Sequence, residues 1–455
     1  MKFWMDVMRD LEGFLDGWER RYDAWEEGGV DGLVIGPLQF DTPKLLPGLR
    51  TAGGSPSPSA TFDPDPEVYR RLGVEPPSPP LEAHPERRAR LERALAAARE
   101  RGWSVWIFQA SAGAGPGGEG PLITDARSQA ALQARMVDTL EHYPMADGAI
   151  MDGPEWGYEI AARHQNHRSY IFHDLPPSVA PGCAELGFDY EALVGAKDRL
   201  YGRLHSLSPR DVDLHGPGGL LGGLQFLGED PALFAWLAFR VASLTQFYRR
   251  VRECLGREMS RPVRLGVGPR TAAFAPLCGY DFAKLAGFID VLLPKHYFWH
   301  RGFDGMVGTV SRYVETLTEW NPGLGDDGAL AVVRMLFGLA LPGVRSRGDL
   351  EDALTPEFFA QVVSQETRRA LAAVDDPERI VPWVDAGRAP HDGDPMPAAH
   401  LRQLLRAARE AGLQRFLYHH QGNLTAGELA VISEECGVPW QQRAGGYQPP
   451  DELVL

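Results

Sequence analysis

The chain has 455 residues, 44% of them apolar and 24% charged, a soluble globular composition able to build a large core. Lys and Arg number 46 against 61 Asp and Glu, and the net charge of −15 argues against nucleic acid or an anionic membrane as partner. No run approaches the roughly 18 apolar residues of a membrane span, and MKFWMDVMRD lacks the apolar core of a secretory signal. Cys183, Cys254, Cys278 and Cys436 lie far apart with no metal-type spacing, so buried free thiols and a cytoplasmic location are expected.

In chain order the pattern alternates between strand and helix. Lys2–Val7 (KFWMDV) reads as a first strand. Leu11, Leu15, Trp18, Tyr22 and Trp25 then repeat every three or four residues, which predicts a helix over Arg9–Glu27. Val30–Phe40 is the second strand. The Pro-, Gly- and Ser-rich stretch Asp41–Pro80 predicts a long loop without regular structure. A helix over Pro85–Arg101 buries Leu91, Leu95 and Ala98, with Pro85 at its first position and Gly102 closing it. Trp103–Ala110 is the third strand, and the glycine-rich Ser111–Gly120 lacks the phosphate-loop pattern and reads as a lid. Asp125–His142 is helical, with Leu132, Met136 and Leu140 inward.

The fourth strand comes from DGAIMDGPEWGYE, Asp147–Glu159. Its apolar run Ala149–Met151 ends on Asp152, and Glu155, Trp156, Tyr158 and Glu159 follow the breakers Gly153 and Pro154. Beyond it, Trp156–Asp230 reads as a large insertion with a helix at Tyr190–Ser206. From Pro231 a long helix should face the sheet with Phe234, Leu237, Val241, Leu244, Tyr248 and Val251. Val263–Val267 and Phe288–Tyr297 are strands five and six, the latter running into Lys295–His300. Asp304–Trp320 and Asp327–Ala373 read as mostly helical, with an extra strand possible at Met335–Leu341. Ile380–Asp385 is the seventh strand, Ala398–Ala411 a helix and Arg415–His420 the eighth strand. Thr425 and Glu428 form a capping box for the last helix.

Eight strands alternating with helices predict one (β/α)8 TIM barrel over about 1–440, with insertions near 41–80, 156–230 and 301–375 and an irregular tail at 441–455. In such a fold the site lies at the C-terminal ends of the strands. Those ends carry Asp6, Gln39, Gln109, Asp152 with Glu155, Arg270 more weakly, Lys295 with His296 and Tyr297, Asp385 with Arg388, and His419 with His420. Strand pleating sends neighbouring side chains to opposite faces, so only part of this set can share one site. Carboxylates beside Trp156, Tyr158 and Trp299 suit a sugar: acids for proton transfer and attack, flat rings for its faces. His164 and His167 have a metal-like spacing without an acidic third ligand, so neither metal nor cofactor is expected.

The strand DGxxxD followed by an acid and aromatics, together with DVLLPKHYFW and PWVDAG, resembles the barrel glycoside hydrolases and their bacterial relatives. In one large group of these enzymes the resemblance implies a fourth-strand Glu as acid/base, here Glu155, and a seventh-strand carboxylate as nucleophile, here Asp385. That group has Glu where this chain has Asp385. In the fucosidase-like and galactosidase-like barrels the nucleophile is the fourth-strand Asp, here Asp152. The chitinase-like DGxDxDxE pattern fits poorly, since Ile150 stands at the middle Asp and the Glu falls one residue late. The resulting expectation is a glycosidase acting on a carbohydrate, with Glu155 as proton donor. The alternative is a barrel that binds a glycan or a protein without turning it over.

Overall fold

The computed structural model describes residues 1–8, 11–38, 61–77, 85–111, 121–161, 170–299, 305–386, 396–441 and 446–451. Within them a single sheet is built from β1 (Lys2–Val7), β2 (Val30–Ile35), β3 (Ser104–Ala110), β4 (Gly148–Asp152), β5 (Arg264–Val267), β6 (Val291–Leu292), β7 (Lys295–His296), β8 (Trp383–Asp385) and β9 (Arg415–His419). Their order is β6-β5-β4-β3-β2-β1-β9-β8-β7, and every pair is parallel. The strand bodies are buried on both faces, as a parallel sheet covered by helices requires. The arrangement is mixed α/β and TIM-barrel-like, a curled parallel sheet with flanking helices.

The two edges of the sheet, β6 and β7, belong to one run of six residues. Pro294 interrupts it because proline has no N–H for the ladder. Its neighbours still bond both ways. Leu293 N donates to Val267 O (2.8 Å) and Lys295 N to Pro269 O (3.0 Å), while Leu292 O and Pro294 O each accept at 2.9 Å, from Val381 N and Trp383 N. Pro382 shortens the expected seventh strand to β8 in the same way, its carbonyl accepting from Leu417 N at 2.8 Å.

The inward face of the sheet forms its own cluster: Trp4, Val34, Trp106, Phe108, Ile150, Leu293, Tyr297, Trp383 and Leu417 are among its members. Gly32 makes room for it, since a Cβ there would lie 2.2 Å from the Trp4 indole. The alternate residues pack outward into the main core against the helices. Each buried Leu, Phe or Trp of that interface contributes roughly 1.5–3 kcal/mol.

Several expectations are corrected. The first helix is two, Leu11–Leu15 and Trp18–Glu27, parted at Asp16 and Gly17. The stretch expected to be one loop contains a helix at Pro66–Arg71, capped by Asp65, whose own N–H donates to Asp138 on the helix Ala126–His142. No strand forms at Met335–Leu341. The helix Gly325–Phe337 runs into it and ends at Gly338 in the left-handed conformation. The inward stripe of the helix Pro231–Glu258 is Leu233, Trp236, Phe239, Arg240, Leu244, Tyr248 and Val251, and the expected Phe234 is 42% exposed. Arg240 causes the shift: it is drawn inward by Asp174 at 2.9 Å, which rotates the first turns by one residue. The helix faces at Leu91, Leu95 and Ala98, at Leu132, Met136 and Leu140, and at Leu401, Leu404, Leu405 and Ala408 are buried as their spacing predicts. All four cysteines are buried and free. Among the described residues no helix is long and apolar enough to cross a membrane.

Candidate active site at the strand ends

Strand parity sorts the candidate residues. Trp4 and Leu417 belong to the inward cluster, so Asp6 and His419, two residues on, face the same way. By the same alternation Asp152 follows Ile150, Asp385 follows Trp383, and Lys295 and Tyr297 follow Leu293. These six stand together at the C-terminal ends of the strands. Trp383 lies among them: Lys295 Nζ is 5.7 Å from its ring and His419 stacks on it at 6.0 Å. A Cβ on Gly268 would lie 3.1 Å from the same indole and 3.6 Å from Asp152 Oδ1, which places Asp152 beside it too.

Two carboxylates at the end of β4 each hold a cation. Asp152 Oδ1 is 2.9 Å from Lys295 Nζ; the lysine is buried, while the Asp152 side chain is 30% exposed. Glu155 accepts two 2.8 Å hydrogen bonds from Arg270 Nε and a further, short one from the second nitrogen of the same guanidinium. Such bidentate pairing is among the strongest charge-assisted contacts. Burial alone would weaken the Arg270 cation, but Glu155 and Tyr158 reverse this and hold it well above its ordinary value. Burial first, and Arg270 second, push the Lys295 ammonium down against the pull of Asp152 and Glu155. Thr271 joins the pairs by donating from Oγ1 to Lys295 O at 2.8 Å.

The segment after β4 is fixed from behind by aromatic and ionic contacts. Trp156 is 2% exposed and donates from Nε1 to Ser243 Oγ at 3.0 Å; Tyr158, 1% exposed, stacks on Phe274 under the Arg270 guanidinium. Both rings therefore pack inside the protein instead of offering a face to a sugar. Gly157 N donates to Asp174 at 2.7 Å, and Tyr248 and Tyr280 both donate to Pro154 O. Burial pushes the Asp174 carboxyl up to about 6 although Arg240 opposes it. Glu159 is paired with Arg312 in the interior, and Thr309 donates to it at 3.3 Å.

Other expected site residues lie elsewhere. Gln109, between Phe108 and Ala110 of the inward cluster, falls on the outward face and is buried there. His296 also faces outward, its ring 5.1 Å from Phe298. The His420 ring meets His419 edge-on at 5.4 Å, and its Nδ1 accepts from Gly422 N, so it caps the turn after β9. Trp299 is half-buried against the main core. Gln39, Arg388, His164, His167, most of Asp41–Pro80 and all but Ser111 of the glycine-rich loop lie outside the described residues. Among the described residues no three His, Cys, Asp or Glu side chains come together to hold a metal ion. Sequence reasoning gave Arg270 too little weight and passed over Trp383, although its place two residues before Asp385 in one strand fixes a shared face.

His296 gives the chain a defined acid sensitivity. Burial pushes its imidazole from 6.5 down to about 3, and Nδ1 meets no hydrogen-bond partner among the described residues. Between those values the unfolded chain binds a proton that the folded one refuses, so stability is lost as the pH drops, by about 1.4 kcal/mol for each unit of acidification. Unfolding free energies from urea titrations at pH 7 and pH 5 should therefore differ less in His296→Phe than in the parent, by about 2 kcal/mol. Asp174 acts with the opposite sign in both proteins and cancels from the difference. Equal pH slopes in the two proteins would show that His296 is not buried neutral.

No protein-family model and no curated protein matches the chain. Solved structures match over nearly its whole length at low similarity. The Bacillus megaterium QM B1551 spore cortex-lytic enzyme SleL is 9% identical, covering 97% of this chain and 75% of its own at a TM-score of 0.39. A GH5_18 variant from Streptomyces cattleya, in complex with Manb1-4GlcNAc, is 12% identical with coverages of 98% and 82% and a TM-score of 0.41. A class V chitinase from Nicotiana tobaccum is 9% identical with coverages of 96% and 99% and a TM-score of 0.42. At these scores the likeness assigns neither a family nor an activity.

Proposed function

We propose that this protein hydrolyses an O-glycosidic bond at the mouth of a closed (β/α)8 barrel, in which residues 291–296 form a single sixth strand. The observation that carries the reading is the pair of cation-held carboxylates, Asp152 and Glu155, at the end of β4, with Asp152 beside the inward indole of Trp383. Glycoside hydrolysis passes through an oxocarbenium-like state that needs negative charge at the anomeric carbon and a flat surface near the ring. Asp152, partly exposed and 2.9 Å from Lys295 Nζ, is the group assigned to that carbon. Asp385, on the same inward face, is the third carboxylate.

The role expected for Glu155 changes on this reading. A proton donor must turn an O–H toward the leaving group, whereas both Glu155 oxygens accept from Arg270, a side chain with donors only. Glu155 then serves as a hydroxyl acceptor, oriented by Arg270. A panel of aryl glycosides varied in sugar and leaving group is the first test. Binding of glycans without turnover on any of them would replace this reading with the non-catalytic one. In the active case Glu155→Gln should lower kcat by about a hundredfold, equally for good and poor leaving groups. A loss confined to poor leaving groups would return the proton-donor role to Glu155.

A further inference from the structure

A glycosidase needs a group that protonates the departing oxygen, and Asp152 and Glu155 are each paired with a cation. A candidate stands against the same Trp383 indole. Asp6 in β1 and His419 in β9 are inward residues of neighbouring strands, one rung beyond the paired Met5 and Tyr418. His419 Nδ1 lies 2.5 Å from Asp6 Oδ2, and both side chains are buried. Trp383 and Tyr297 stack on the imidazole at 6.0 and 6.1 Å with interplanar angles of 28° and 26°. The ring is thus held in plane by two aromatic residues and in rotation by a carboxylate.

We propose that His419, oriented by Asp6, is the proton donor and acceptor of this site. The inference rests on the glycosidase reading above. With Asp6 ionised, Nδ1 carries the hydrogen of the 2.5 Å contact, and Nε2 is the ring atom that exchanges a proton with the substrate. In the first step the Nε2 proton passes to the glycosidic oxygen as its bond to the anomeric carbon breaks. The leaving group departs as an alcohol while Asp152 bonds to that carbon. In the second step Nε2 takes a proton from water, the water oxygen bonds to the carbon, and Asp152 is released as a carboxylate. The sum is one glycoside and one water giving a free sugar and an alcohol. Asp6 is a positioning residue, since it acts only through the imidazole. Among the described residues, Asp385 stands opposite His419 in the β8–β9 register, His420 meets it edge-on, and the Tyr297 ring stacks on it; Lys295 lies against Trp383.

The full-length chain supplies the test in two measurements. His419→Gln should lose about a hundredfold or more in kcat on glycosides with alkyl or sugar leaving groups, and less than about tenfold on dinitrophenyl glycosides. The alkaline limb of its kcat/KM profile should vanish. Imidazole resonances of the labelled protein should show the His419 titration moving down by about one pH unit or more in Asp6→Asn, independent of any turnover. A loss equal across leaving groups would leave His419 a structural residue, and a titration indifferent to Asp6 would equally overturn the dyad. If the parent turns over no glycoside, the glycosidase reading fails and takes this one with it. An active parent with leaving-group-independent losses sinks the His419 assignment alone. Should His419→Gln not fold, Asp6→Asn gives the same two readouts with a near-isosteric change.

Discussion

Asp152→Asn should lower kcat/KM on glycosides by about 10⁴-fold, roughly 5.5 kcal/mol of transition-state stabilisation. The substitution would keep the shape of the β4 end and lose the charge assigned to the anomeric carbon. It would also leave Lys295 buried without its 2.9 Å partner, pushing that ammonium further down from an already lowered value. Rates therefore need scaling by the folded fraction. Azide should restore turnover in Asp152→Asn by replacing the missing carboxylate, and should do nothing for Asp385→Asn. Rescue of Asp385→Asn alone would move the nucleophile to β8. Retention of more than about a tenth of parental activity by Asp152→Asn would remove it from the mechanism.

The largest stability loss is expected at Arg312→Met. The Glu159 side chain is 2% exposed and its charge is matched by Arg312, with Thr309 also donating to the carboxylate. Taking away one member of a buried pair strands the other, which costs about 3–5 kcal/mol. Arg312→Met with Glu159→Leu should recover most of that loss, because two apolar residues of similar volume need no counterion. Urea unfolding of the parent, the single and the double variants measures it. A single-variant cost below about 1 kcal/mol would mean that water reaches Glu159. The result bears on the site as well, since Tyr158, beside Glu159, lies under the Arg270 that holds Glu155.

Much of the architecture was legible in the residues. Apolar strands ending in polar groups, and helices with three- and four-residue spacing, are local patterns set by strand and helix geometry. The capping box at Thr425 and Glu428 forms as its residue types dictate. The breaks occur where one residue carries a nonlocal or backbone constraint. Pro294 and Pro382 interrupt ladders for want of an N–H, which the sequence states plainly and the strand pattern hides. Arg240 rotates a helix because its partner, Asp174, comes from a distant segment.

The sequence by itself determined the alternation of strands and helices, the segment around Asp152, and the parity that puts Asp6, Asp152, Lys295, Asp385 and His419 on one face. Only the tertiary structure decided which of the polar groups face cations and which face each other. Glu155 and Arg270 are 115 residues apart, and Asp6 and His419 are 413 apart. No local pattern encodes such pairings. They arise because parallel strands remote in the chain become neighbours in the sheet, and the charge state of each carboxylate is set by what the neighbouring strand or turn brings beside it. Trp156 and Tyr158 make the same case from the other side. Their types suit a sugar platform, and their burial behind β4 follows from where the insertion folds back.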